Sequence, residues 1–266
     1  MKNQFLLIAL LLLPAYSVVA ADDSGTLPTA EEIVTRMAAH DLQRQASIEG
    51  YAGMRRYVLE NHKFHKRAEM LVQVQGDPDG TKHFEVVSED GWGGARKHVL
   101  HKMLESETET SRPEMRANAK LNPENYDFEV AGTEELADRT AYVLEITPKR
   151  KEKYLFRGRI WVDAEDYALV RAEGSPARKP SFWTKSIHFV QIYQKSGPLW
   201  FPLSTQSITE AHIFGTTDVS IEYFDYEPKT SNSPDNSVMS TKEKPVKDAE
   251  LCREKCRFIS VAYGSR

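Results

Sequence analysis

His98, His101 and Glu105 recur at helical spacing, so one helix face would carry two imidazoles and a carboxylate, a set able to ligate a metal ion. A metal-dependent hydrolase built on them would also need a further ligand and a general base, and none stands at a fixed interval. Lys97 and Lys102 share the stretch, so a solvated helix face is the plainer reading. His62 and His65 flank an expected hairpin turn and read the same way. The sequence has neither a Gly-x-Ser-x-Gly elbow nor a Walker loop. Gly91-Trp-Gly-Gly94 precedes the histidine helix without the Lys-Ser/Thr of a phosphate cradle, so it reads as a hinge. Lys149-Arg-Lys-Glu-Lys153 follows Pro148 and reads as a charged hairpin tip. Cys252 and Cys256 stand four apart with no neighbouring metal ligands, which leaves a peripheral disulfide or two free thiols. No reaction, cofactor or metal is therefore expected.

The composition narrows the classes further. The chain of 266 residues carries 35 Lys+Arg against 39 Asp+Glu, a net charge of −4, which argues against a nucleic-acid binder held by phosphate contacts. A hydrophobic fraction of 40% beside 28% charged residues fits a folded soluble chain. Met1-Lys2, the apolar run Phe5 to Leu13, Pro14 and the small residues around Ala20 form a secretory signal peptide over 1–21. The apolar run is shorter than the roughly 20 residues of a membrane span. An exported, periplasmic, soluble protein is expected.

The elements that would position any site follow from periodicity. Thr29 and Glu32 match a capping box, and Ile33, Val34, Met37, Ala38 and Leu42 recur at helical spacing. From Ile48 the period changes to two. About ten strands are predicted, over 48–60, 64–74, 82–88, 125–131, 139–147, 152–163, 167–174, 184–195, 199–213 and 216–226. Between the third and fourth, Val99, Leu100, Met103 and Leu104 mark a second amphipathic helix, with a third helical piece over 113–121. Short turn-like links predict an antiparallel meander, and helices segregated from it make the class α+β. The strand over 199–213 has large residues at its ends and Thr205, Ser207 and Thr209 between them, which leaves room on that face. The domain is placed at 22–228 and a flexible polar tail at 229–266.

The order of these elements, with Leu144-Glu-Ile-Thr-Pro-Lys149, Gly158-Arg-Ile-Trp-Val-Asp163 and Arg171-Ala-Glu-Gly174, resembles the LolA/LolB-like superfamily. Asn122-Pro-Glu-Asn-Tyr-Asp-Phe128 and Phe201-Pro-Leu203 are similar to its outer-membrane lipoprotein-sorting-like branch. The resemblance covers about 30–228 and implies a strongly curved antiparallel sheet, an unclosed β-barrel, with helices covering the concave face. It further implies that lipoprotein or lipid acyl chains lie between sheet and helical lid. In the true carrier a third-strand Arg-Pro segment fastens the lid. Lys82-His-Phe-Glu-Val-Val-Ser88 lacks that pair, and Arg56, assigned to the inward register of the first strand, is the substitute candidate. The residues expected to line cavity or lid are Ile48, Met54, Met70, Val72, Met103, Leu104, Leu203 and Ile221. Envelope membrane proteins are further candidate partners. The alternatives are an envelope sensor or interaction module of the same fold without lipid transport, and the metal-dependent hydrolase.

Overall fold

The computed structural model describes residues 27–136, 138–197 and 199–229. The expected signal peptide, both cysteines and all but the first residue of the expected tail lie outside them. The ten strands are β1 (Tyr51–Asn61), β2 (Lys66–Gly76), β3 (Lys82–Gly91), β4 (Tyr126–Leu136), β5 (Arg139–Pro148), β6 (Phe156–Asp163), β7 (Leu169–Pro176), β8 (Thr184–Ser196), β9 (Leu199–Ala211) and β10 (Gly215–Pro228). β1 and β2 alternate in burial as the period-two pattern predicts, whereas β6 and β7 carry consecutive buried residues and β3 is largely exposed. All ten form one antiparallel sheet in the order β3-β2-β1-β10-β9-β8-β7-β6-β5-β4. β3 and β4 are its two edges and do not pair, so the sheet is an open one.

The sheet bends strongly. Five strand spacings separate β3 from β8, about 24 Å if flat, yet Tyr193 on β8 lies close enough to Lys82 on β3 to feel its charge. Close backbone approach helps the middle strands follow the bend. Gly158 on β6 faces Gly174 on β7, and a Cβ on either would meet the opposite strand's backbone within 2.2 Å.

The pairing register defines the inner face. One row runs Val130, Leu144, Ile160, Ala172, Gln191, Thr205, Ile221, Tyr57, Met70 across nine strands. It is apolar at both ends and polar in the middle. Each apolar end is covered by a helix. α1 (Ala30–Ala46) starts at the capping box, in which Thr29 and Glu32 hold each other's backbone N–H, and it seats Ile33 and Val34 over β4 to β7. The covering of the other end is the connection between the two sheet edges. It comprises α2 (Gly93–Ala95), a π-helical turn (Arg96–Leu100), α3 (His101–Ser111) and α4 (Pro113–Arg116). We call it the strap. Leu100 and Leu104 bury against Tyr57, Leu59, Met70, Val72, Val219 and Ile221. Burial of each large apolar side chain contributes about 1.5–3 kcal/mol, so both coverings matter to stability.

The outer face carries a smaller cluster of Ala141, Val143, Trp161 and Val170. Trp161 lies under the guanidinium of Arg171 at 4.4 Å and donates its indole N–H to Glu134 at 2.7 Å.

Candidate functional site

β1 decides how the strap is held, and it corrects the sequence reading. Its buried positions are Gly53, Arg55, Tyr57, Leu59 and Asn61, the odd ones. Met54 and Arg56 therefore face outward, not inward. The stretch Met54-Arg-Arg-Tyr-Val-Leu59 has apolar residues at both parities, so alternation cannot choose between them. The choice falls to the partners: Tyr57 and Leu59 stand opposite Met70 and Ala68 on β2, and opposite Ile221 and Val219 on β10. Arg56 instead bridges Glu69 at 2.6 Å and Glu222 at 3.4 Å on the outer surface. Arg55 is the inward arginine.

Arg55 is fully buried and surrounded by aromatic rings. Its guanidinium carbon sits 5.0 Å from the centre of the Phe84 ring and 4.9 Å from that of Tyr223. Nε donates to the Tyr226 hydroxyl at 2.9 Å, and Nη1 donates to the Tyr57 hydroxyl at 3.3 Å. Nη1 also donates to Oε2 of Glu107 on α3 at 2.7 Å, while Nζ of Lys82 donates to the other carboxylate oxygen at 2.8 Å. One strap carboxylate is thus held between a cation from β1 and a cation from β3. Burial pushes the Glu107 carboxyl upward, but Lys82 and Arg55 outweigh it and hold the group at about 2. The same pairing raises Arg55 and Lys82 against the opposing effect of burial. Burial pushes the Tyr57 hydroxyl up to about 12. We call this cluster the latch.

The latch is not sealed. Lys82 and Glu107 each keep 31% of their side-chain surface accessible. Tyr193 is half-buried and faces the same space, with its hydroxyl pushed up to about 12, chiefly by burial. Beside it runs the polar middle of the inner face. Ile187, Phe189 and Gln191 on β8 pair with Thr209, Ser207 and Thr205 on β9, and all six are half-buried. No β9 residue belongs to the clusters under α1 or the strap, among the described residues. The small side chains Thr205, Ser207 and Thr209 of β9 therefore lie between the two covered regions, paired with the larger Gln191, Phe189 and Ile187 of β8, of which Phe189 packs against the α1 cluster.

Further ties fix the strap at both ends. Trp92 N–H donates to Arg67 O at 2.7 Å beside Gly91, whose φ of +81° and close approach to the Arg67 carbonyl require glycine. At the far end Ser111 Oγ accepts from Lys82 N–H at 2.9 Å, and Glu109 accepts from Tyr154 at 2.7 Å and pairs with Lys153 at 3.1 Å. Lys153 belongs to the basic stretch read as a solvated tip. Part of that stretch is used internally, since Arg150 donates to Asn125 Oδ1 at 2.6 Å.

The expected lining residues divide as follows. Met70, Val72, Leu104 and Ile221 come together in the cluster under the strap, with Met103 packed at its margin. Leu203 is half-buried on β9 and lies outside the cluster. Ile48 is half-buried but precedes β1, where Glu49 N–H and Gly50 O bond the Lys229 backbone. Met54 is on the outer face. The latch itself is absent from the sequence reading, although one signal was available. Leu100, Leu104, Glu107 and Ser111 form one helical stripe, and a carboxylate on an apolar stripe needs a buried cation.

His98, His101 and Glu105 do share the wall of a surface cleft of about 500 Å³. Their neighbours engage them separately: His101 contacts Glu89 at 2.8 Å, Arg96 pairs with Glu89 at 3.0 Å, and Lys102 takes Glu105. Among the described residues no group of three or more His, Cys, Asp or Glu is arranged to hold a metal ion.

Comparison with known proteins adds the following. A family model described as a family of unknown function (DUF5686) matches residues 119–226, from the loop before β4 into β10. No curated protein matches the chain. Similar solved structures include a LolA superfamily protein from Nitrosomonas europaea, at 12% identity and a TM-score of 0.41, covering 80% of this chain and 99% of that one. A DUF1329 family protein from Desulfovibrio piger is 12% identical with a TM-score of 0.41, covering 78% of this chain and 95% of that one. A chain of the MucA/MucB complex of Pseudomonas aeruginosa is 11% identical with a TM-score of 0.24, covering 75% and 99%.

Proposed function

We propose that the protein is an exported, periplasmic binding protein that takes lipid or lipoprotein acyl chains against its inner face, with the strap as a removable cover. One observation carries this reading. The strap buries an apolar wall, yet its carboxylate is tied to that wall by charge, through the fully buried Arg55 on one side and the partly accessible Lys82 on the other. Apolar contacts hold regardless of ionic conditions. Water reaches the Lys82–Glu107 side of the cluster, and a pair that water can reach exchanges its partner for hydration at a smaller cost than a dry one. Displacing Leu100 and Leu104 would expose Met70, Val72, Leu59 and Ile221 as a surface for hydrocarbon, beside the small residues Thr205 and Ser207 of β9. Each methylene withdrawn from water there contributes about 0.8 kcal/mol. No reaction is assigned.

The test is lipid extraction and mass spectrometry of the protein purified from its own envelope, paired with binding of a dansyl-labelled fatty acid. The proposal expects enriched acyl species and saturable probe binding that the strap variant Glu107→Gln strengthens. A protein free of lipid, whose parent form and Glu107→Gln form both ignore the probe, refutes it.

A further inference from the structure

One rim of the sheet has a surface that the latch and strap do not use. Three connections lie side by side there: the β1–β2 turn, the β9–β10 turn and the β7–β8 connection. Pairing brings them together, since Asn61 faces Thr217, Gly215 faces Ala211 and Ala211 faces Thr184. Direct contacts join them. Lys63 Nζ donates to Ile213 O at 2.8 Å, and His212 N–H donates to Trp183 O at 2.9 Å. The Phe64 and Phe214 rings meet edge to face at 6.2 Å, as do those of Phe182 and Trp183 at 5.4 Å.

The rim holds large apolar side chains that the fold leaves in water. Phe182 is 87% exposed, Trp183 52%, Phe214 46%, Ile213 45% and Phe64 43%. Isolated exposed apolar residues are ordinary, but a contiguous group of this kind marks a contact surface. Its electrostatics identify the contact. Residues 61–66, 177–187 and 211–217 contain Lys63, Lys66, Arg178, Lys179 and Lys185, three histidines and no acidic residue, in a chain of net charge −4. None of these five cations forms an ion pair among the described residues. Three carboxylates flank these ranges: Asp218 and Glu60 are engaged with His62 and Arg67, and Glu210, opposite Thr216 and Ser186, is a single exposed charge against the five cations.

We infer that this rim docks on the surface of an anionic lipid bilayer, with Phe182 and Trp183 seated at the headgroup level and the lysines over lipid phosphates. Trp and Phe on a projecting loop, ringed by Lys and Arg, have the composition of an interfacial anchor. Each lysine near an anionic surface adds attraction that falls away within a Debye length. A protein partner would be expected to supply carboxylates at fixed positions, whereas here the cations spread over three loops around one apolar tip. The inference is independent of what the inner face binds.

Flotation of the full chain with vesicles tests it. Phosphatidylcholine vesicles and vesicles of phosphatidylcholine mixed equally with phosphatidylglycerol are compared at low and high salt. The chain should float with the anionic vesicles and lose that binding in high salt. The pair Lys179→Glu and Lys185→Glu should weaken binding by about tenfold or more, and so should the pair Phe182→Ser and Trp183→Ser. All four residues are exposed, so the variants should unfold at the parent's temperature, and the fold is checked that way. Binding that either pair of substitutions leaves unchanged overturns the inference. So does equal binding to both kinds of vesicle. Rim-dependent capture of an envelope protein by a chain that ignores vesicles assigns the rim to that protein and also overturns it.

Discussion

The two halves of the inner face are covered by helices held in different ways. α1 is a capped helix of 17 residues whose buried side chains, Ile33 and Val34, sit on a cluster rich in Leu, Ile, Val and aromatic residues. Its main polar ties are peripheral: Arg36 donates to the Tyr167 hydroxyl at 2.7 Å and Arg44 donates to Asp166 O at 3.0 Å. The strap has no side-chain cap on any of its helical pieces and contains a π-helical turn. It joins its wall through Leu100 and Leu104 and then through a buried arginine. The first arrangement is that of a permanent part of the core. The second is that of a segment whose seat depends on charge, and π-turns occur where a helix must yield or bend.

Five measurements would break or sharpen this contrast. Arg55→Ala should be the most damaging, since it leaves Glu107 with one cation and vacates the aromatic cage. A loss of about 3–5 kcal/mol in denaturant unfolding is expected, and a loss under 1 kcal/mol would remove the latch from the account. Ile33→Ala and Leu104→Ala should each cost about 2–4 kcal/mol. Hydrogen exchange should separate them: Ile33→Ala raises exchange throughout the α1 half, Leu104→Ala chiefly along the strap.

Acid should act on the strap before it acts on α1. Glu107 is held at about 2, below its ordinary 4.5. Its contribution is complete above pH 4.5 and is lost as pH falls towards 2. Strap amides should therefore gain exchange across that window. Glu32 in the capping box is lowered as well, through its hydrogen bonds with Thr29, so α1 should fray only at its first turn. Uniform protection of both helices down to pH 2 would contradict the distinction. Thr29→Ala should cost about 1 kcal/mol with no effect on the strap. Arg56→Ala should change stability by about 0.5 kcal/mol or less, because its partners lie at the surface. An Arg56 effect as large as that of Arg55 would restore the register first read from the sequence.

Much of the architecture was legible in the sequence because alternation and turn residues are local signals. β2 shows this: Ala68, Met70, Val72 and Val74 are buried while Arg67, Glu69, Leu71 and Gln73 are not. Phe64, read in line with them, falls in the turn and is exposed. What could not be read depends on which chains lie opposite each other. Adjacent arginines at 55 and 56 guarantee one inside and one outside without saying which, and only the β2 and β10 partners settle it. The latch needs residues 55, 82 and 107 to converge. The rim needs three loops from distant parts of the chain, each of which reads alone as an ordinary polar turn with one or two aromatics.

The seam between β1 and β10 bears on how the molecule is made. Tyr51 pairs with Pro228 and Asn61 with Thr217, so the first strand of the sheet bonds to the last. The β1–β3 meander is synthesised early and must wait, with an open strand edge, until the final strand arrives. Such distant pairing slows folding and exposes aggregation-prone edges. Refolding should accordingly show a late phase in which β1 gains amide protection together with β10, after the β4–β9 meander has formed.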